Sequence, residues 1–252
     1  MSVRKKIRKA VATAGAIVVL LHSVTAQAEI PVSIELVLAV DISRSVDDVE
    51  YELQVTGIAS AFRNPEIIDL IGQHNGVAVM LFQWDTDIDK RHMIPWHLLR
   101  DPASVLSFAD KVAALERDSN RSFTGIGKAI DFGVYLITAN EFSGRLLKID
   151  ISGDGRDNIG SLTPASRQQA GALGIAINGL PILIDTFNLD TYYREKVILG
   201  PDAFLEIAID YDDFARAFLR KLRREITPSI SRNEPTPRVR VQQAHENWTK
   251  PR

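Results

Sequence analysis

Cysteine is absent from the 252 residues, which excludes disulfides, a thiolate nucleophile and cysteine-ligated zinc. The exported form expected below must therefore be held together by its core. Apolar residues make up 45% and charged residues 25% of the chain, an ordinary globular composition with material for one sizeable domain. An apolar run long enough to be an anchor is also lacking: Ala10 to Leu21 falls short of the roughly 20 residues needed to cross a bilayer. Nor is there a surplus of positive charge where a fold would be. Of the net −2, the head contributes +5 and the tail after Ile226 contributes +3, leaving −10 for the segment between. Nucleic-acid binding, which needs a basic face, is disfavoured.

The ends read as separate from the fold. Arg4, Lys5, Lys6, Arg8 and Lys9 precede the apolar stretch, and Ala26-Gln27-Ala28 follows it. Together they make residues 1–28 a secretory signal peptide. The domain is expected over 29–226, with no transmembrane segment once the signal is removed, exported to the periplasm or the medium. The stretch 227–252 holds Pro228, Pro235, Pro237 and Pro251 among polar and basic residues and is expected to be a disordered tail.

The most informative stretch is Leu36 to Ser45, an apolar run that stops in Asp41-Ile42-Ser43-Arg44-Ser45. While the backbone stays extended, Asp41, Ser43 and Ser45 project to one side. Carboxylate and hydroxyl oxygens at a strand tip suit a hard cation that keeps part of its shell open. A plainer reading stands beside this one, since Ser45 followed by Asp48 also fits a helix N-cap with an acidic first turn.

Further along, Tyr51, Val55, Ile58 and Phe62 give an amphipathic helix over about 46–63. Val77 to Phe82 is a second buried strand, and Arg91 to Ile94 a short antiparallel return. A helix starts at Pro102, and another follows Thr124 with Ile126, Ile130, Val134 and Ile137 on its stripe. Leu146 to Ile151 is a strand leading into Ser152-Gly153-Asp154-Gly155. Thr163-Pro164 opens a helix ending near Gly174. Leu183, Ile184 and Phe187 are assigned to a following strand and Phe204 to Ile209 to a last one. Phe214, Phe218, Leu222 and Ile226 mark a terminal helix whose last turns carry Arg220, Lys221, Arg223 and Arg224. Alternation of this kind gives a doubly wound α/β fold, with a mainly parallel sheet, one antiparallel edge strand and helices on both faces. In such sheets ligands bind outside the carboxyl ends of the strands. Taken singly, Thr124 reads as an N-cap hydroxyl and Asp154 as a turn residue. Neither reading requires their oxygens to meet those of Asp41, Ser43 and Ser45, whereas a cation site does.

Other chemistries find less support. Asp85, Asp87 and Asp89 lack the glycine and the twelfth-position acid of an EF-hand, with Lys90 and Trp96 in their place. Gly125-Ile126-Gly127-Lys128 has neither the spacing nor the hydroxyl of a phosphate-binding Walker loop. Ser43 has no nucleophile-elbow context, and the bases on offer after the signal are His74, His92, His97 and His245.

On these residues the chain resembles the von Willebrand factor A domain family and its metal-ion-dependent adhesion site. Asp41, Ser43 and Ser45 match the family's Asp-x-Ser-x-Ser, Thr124 its threonine ahead of a central helix, and Asp154 its aspartate in an Asp-Gly turn. The resemblance spans about Ile34 to Ile226 and is similar to an exported bacterial branch. It implies Mg²⁺, or Mn²⁺ or Ca²⁺, with Ser43 and Ser45 as direct ligands and Asp41 and Asp154 acting mainly through water. Thr124 would bind directly or through water, and one position would be left for a carboxylate of a protein partner. The implied role is adhesion or scaffolding, not catalysis. The rival is a haloacid-dehalogenase-like, Mg²⁺-dependent phosphatase with Asp41 as nucleophile. Gly153-Asp154-Gly155 looks similar to that family's acidic loop, but Ser43 stands where its general acid belongs.

Overall fold

The computed structural model describes residues 29–117, 123–160, 163–184, 186–200 and 202–227. The expected signal peptide, the tail beyond Thr227 and His245 lie outside them. Among the described residues no helix is long and apolar enough to cross a membrane.

Five strands, β1 (Ile30–Asp41), β2 (Val77–Trp84), β3 (Ile88–Leu99), β4 (Phe142–Gly153) and β5 (Ile175–Pro181), form one sheet in the order β3-β2-β1-β4-β5. The β1–β2, β1–β4 and β4–β5 pairs are parallel, and β3 is the antiparallel edge. That edge strand is longer than Arg91 to Ile94. Register shifts against β2 let it carry Pro95, which an interior strand would not tolerate.

β1 lies at the centre because it is apolar on both faces. Ile34, Leu36, Leu38 and Val40 join a core shared with α1 (Asp48–Phe62), α2 (Pro65–Gly72), α3 (Pro102–Ala113) and α7 (Phe214–Ile226). Val37 and Ala39 point the other way, towards α4 (Ile126–Thr138), α5 (Thr163–Ala172) and α6 (Leu189–Tyr192). A strand covered on both sides needs this continuous run, and parallel pairing sends the tips of β1 and β4 to the same rim.

Two strand assignments are corrected. The strand after α5 is Ile175 to Pro181, and Leu183, Ile184 and Phe187 lie beyond its end. Asn178 and Gly179 disguise it as a turn, but each has a buried role. Asn178 donates to Glu225 at 2.7 Å and accepts the Phe204 N–H at 2.8 Å. Gly179 leaves room for the Tyr193 ring, which a Cβ there would meet at 2.8 Å. Phe204 to Ile209 makes isolated bridges, Gly179 to Leu205 and Ile182 to Ala208, and no full ladder. Helix α2, capped by Asn64 with Pro65 in its first turn, and the π-helical turn Tyr193–Val197 after α6 are additions that the apolar spacing did not reveal.

α7 buries Phe214, Phe218, Leu222 and Ile226 as its spacing predicts. Lys221 is a further correction. Instead of complementing the helix end in solvent, it is fully buried, with Nζ 2.6 Å from Asp150 and 2.9 Å from Glu225. Lys148 pairs with Glu225 at 3.2 Å. Burial opposes the Lys221 charge, yet the two carboxylates outweigh it and hold its pKa above the ordinary value. Burial raises Glu225 too, but Lys221 and Lys148 prevail and hold its pKa low. Replacing Lys221 by Ala leaves two buried acids short of their partner, so Lys221→Ala is expected to cost about 3–5 kcal/mol. Urea denaturation measures this, and a loss below about 1 kcal/mol would show that the cluster is not a structural anchor.

Candidate functional site

At the carboxyl rim of the sheet, β1 ends in Asp41 and turns through Ser43 and Ser45 into α1. The helix is not capped by Ser45. Asp47 takes that place, accepting the Glu50 N–H while the Glu50 carboxylate accepts the Asp47 N–H. This capping box leaves the Ser45 hydroxyl free to donate to Asp154 Oδ1 at 2.7 Å. Thr124 is likewise not the cap of α4, because Gly125 holds that position without a side-chain bond. Thr124 Oγ1 instead donates to Ser43 Oγ at 3.3 Å, and the Ser43 and Ser45 oxygens are 3.3 Å apart. Side chains 81 and 109 positions apart in the chain therefore form one contiguous group of oxygens.

The segments that hold this group are themselves held. Arg117 donates to the Val46 and Asp47 carbonyls at 2.5 and 2.7 Å and lies over the Tyr51 ring, pinning the serine turn. Asn158, in the loop after β4, accepts the Thr124 N–H and donates its own N–H to the Thr124 carbonyl. Asp85 fixes the next residue, its carbonyl accepting the Gly125 N–H at 3.0 Å. That approach requires glycine, since a Cβ at Gly125 would stand 2.8 Å from the Asp85 oxygen. The acidic hairpin, read as a solvated loop, is thus stitched to the Thr124 segment, with Lys128 pairing Asp87 at 3.0 Å. Tyr211, just ahead of α7, donates to Asp154 Oδ2 at 3.2 Å. Sequence reasoning missed Asp85, Arg117, Asn158 and Tyr211, because each acts through partners distant in sequence and carries no local motif.

Asp41 is the electrostatic centre. One carboxylate oxygen accepts the Ser43 N–H at 2.7 Å, while Oδ2 is buried and has no hydrogen-bond partner among the described residues. Gly153 allows this oxygen its place, for a Cβ there would come within 2.6 Å of it. Burial, and after it the Asp154 carboxylate, pushes the Asp41 carboxyl up to about 8. Tyr193 and Tyr211 beside the pair are raised as well, chiefly by burial. Two acids with an unsatisfied oxygen, lined by three hydroxyls, form a donor set that fits a hard divalent cation. No group of three His, Asp or Glu side chains placed to hold a metal ion occurs among the described residues, so a cation here would depend on the hydroxyls. His74 is far off, bonded to the Ile226 carbonyl at 2.5 Å at the other end of the sheet.

This order of strands, with helices on both faces and the oxygen-lined rim, defines a von Willebrand factor A-like fold. The chain belongs to the family described as "Protein of unknown function (DUF1194)", which it matches over residues 31–230. No curated protein matches it. Among solved structures it is similar to proximal thread matrix protein 1 of the mussel byssus, at 11% identity and a TM-score of 0.57 over 79% of this chain and 47% of that one. A form of the same protein with a zinc-occupied MIDAS motif matches at 14% identity and 0.56, over 77% of this chain and 48% of that one. The vWF domain of the pilus tip protein Mfa5 from Porphyromonas gingivalis matches at 11% and 0.56, covering 81% of this chain and 98% of that one. The pilus adhesin SpaC of Lactobacillus rhamnosus GG matches at 13% and 0.55, over 77% of this chain and 30% of that one. The chain thus spans about half the length of the mussel protein.

A raised Asp41 pKa makes the metal-free protein sensitive to pH in a defined direction. Its stabilising share is complete below the unfolded value near 3.8 and is lost as pH rises towards about 8. Asp41→Asn keeps an acceptor for the Ser43 N–H and removes the charge. In EDTA its melting temperature should exceed that of the parent at pH 8, and the gap should narrow at pH 5. A gap that is constant with pH would show that Asp41 carries no such strain.

Proposed function

We propose that this chain is an exported, metal-dependent protein-binding module, of adhesion or scaffold type, that engages an acidic group on a partner. The observation carrying the reading is the hydrogen-bonded meeting of Ser43, Ser45, Thr124 and Asp154, joined through the Ser43 N–H to Asp41, which keeps a buried carboxylate oxygen with no hydrogen-bond partner among the described residues. Those five residues would hold Mg²⁺, with Mn²⁺ or Ca²⁺ as the alternatives. The bound cation would supply a Lewis-acidic position for an outside carboxylate. The chain's own part is to pre-arrange the oxygens and keep them rigid, through Arg117, Asn158, Gly125 and Tyr211. The zinc-occupied motif named for the mussel protein and the adhesive settings of the pilus proteins agree with this reading. The basic head and Ala-x-Ala pattern at 26–28 support export.

The phosphatase reading is weaker. Asp41 is fully buried and one of its oxygens is committed to the Ser43 N–H, a poor position for attack on phosphorus. A proton donor two residues on is replaced by a serine.

Calorimetric titration of Mg²⁺ into chelator-treated protein should show one saturable site. Asp41→Ala, with its fold checked by circular dichroism, should lower the affinity at least about tenfold, the order seen on losing a group that supports a metal. Unchanged affinity would overturn the site assignment, and Asp41-dependent hydrolysis of an aryl phosphate would reverse the ranking in favour of the enzyme.

A further inference from the structure

Tyr193 is fully buried and stands outside the motif positions at the rim, yet several features of the fold serve to place it. It opens the π-helical turn Tyr193–Val197, closed by the Ile198 N–H on the Tyr193 carbonyl at 2.9 Å. Such turns are rare and recur at functional sites. Arg167, on α5, braces the turn by donating to the Glu195 and Ile198 carbonyls at 2.9 and 2.7 Å. The ring occupies the space left by Gly179, and its hydroxyl ends beside Gly153 at the tip of β4.

The hydroxyl placed there is only weakly engaged. It donates to the Gly153 carbonyl at 3.4 Å, long for a hydroxyl donor. A carbon added to Gly153 would meet this oxygen at 3.1 Å and Asp41 Oδ2 at 2.6 Å, so the phenol and carboxylate oxygens stand about one point. Asp41 Oδ2 has no hydrogen-bond partner among the described residues. Burial, and after it the Asp41 charge, keep the phenol protonated, so it meets a carboxylate as a donor. A hydroxyl bonded to a carboxylate is held about twice as strongly as one bonded to a neutral carbonyl, which favours Oδ2 over the Gly153 oxygen.

We infer that Tyr193 is a positioning residue for Asp41: a short turn of its hydroxyl away from the Gly153 carbonyl supplies the hydrogen bond that Oδ2 lacks, and keeps the carboxylate oriented with its other oxygen on the Ser43 N–H. This rests on the function proposed above and names the residue that orients one acid of that site. Without the phenol oxygen, the charged carboxylate that a cation needs would face hydrocarbon at Oδ2, and the cation would be held less tightly.

Tyr193→Phe keeps the ring and removes the donor. Calorimetric titration of Mg²⁺ into this variant of the whole chain should give an affinity at least about tenfold below that of the parent, the scale on which partners of metal-holding groups act. Tyr192→Phe is the control, since the Tyr192 hydroxyl accepts the Asp157 N–H at 3.3 Å; it should match the parent. A second readout, taken in EDTA, is nuclear magnetic resonance of tyrosine isotope-labelled at Cζ. Asp41→Asn should move the Tyr193 signal and leave that of Tyr135, on α4, in place. Parent-like Mg²⁺ affinity in Tyr193→Phe, or an equal loss in Tyr192→Phe, would overturn the inference and leave the cation site standing. A parent that takes up no Mg²⁺ would defeat the function proposed above, and the tyrosine signal then decides. If unmoved it refutes the role of Tyr193 as well, and if moved it upholds the hold on Asp41.

Discussion

Two carboxyl groups brought together at the tip of a central strand set the terms for the rest of the structure. Asp41 cannot leave the interior, because the strand that carries it is apolar on both faces and locked between β2 and β4. Asp154 arrives beside it through the parallel pairing of β4. Burial and mutual repulsion both disfavour ionisation there, and one oxygen of Asp41 has no hydrogen bond at all among the described residues. An arrangement so costly in isolation becomes favourable once a positive charge is supplied. The surrounding turns are built to maintain it: Gly153 leaves the oxygen its space, Arg117 holds the serine turn, and Asp85 and Asn158 hold the threonine.

The contrast with the other buried charges supports this. Under α7, Asp150 and Glu225 face Lys221 and Lys148, two acids against two bases, and the group is internally balanced. It behaves as structure. At the carboxyl rim the two acids face hydroxyls and tyrosines with no buried cation among them. Among the described residues, Asp41 Oδ2 at this rim is a buried carboxylate oxygen with no hydrogen-bond partner.

Much of this was legible in the chain. The continuous run from Leu36 to Val40 announces a doubly covered strand, and the abrupt acid after it announces a tip with chemistry. Apolar spacing located α1, α4 and α7. The five oxygen-bearing residues could be named from their spacing and from a family resemblance, although each had a plainer reading. For two of them the structure removes that reading, because Asp47 with Glu50 caps α1 in place of Ser45, and Gly125 occupies the cap of α4 in place of Thr124. What stayed hidden depends on contacts between distant segments. β5 was missed because Asn178 and Gly179 look like a turn until Glu225 and Tyr193 are packed against them. Lys221 looked like a surface cation because helix periodicity says nothing about the acids opposite it. Tyr211 and Asn158 belong to no motif and gain meaning only from the side chains they touch.

Crystals soaked in Mn²⁺ and measured at its absorption edge test the central claim most directly. The account predicts an anomalous peak within a bonding distance of about 2–2.2 Å from the Ser43 and Ser45 hydroxyls, with Asp41 and Asp154 behind them. An empty rim at saturating Mn²⁺, or a peak bound elsewhere on the molecule, would contradict it.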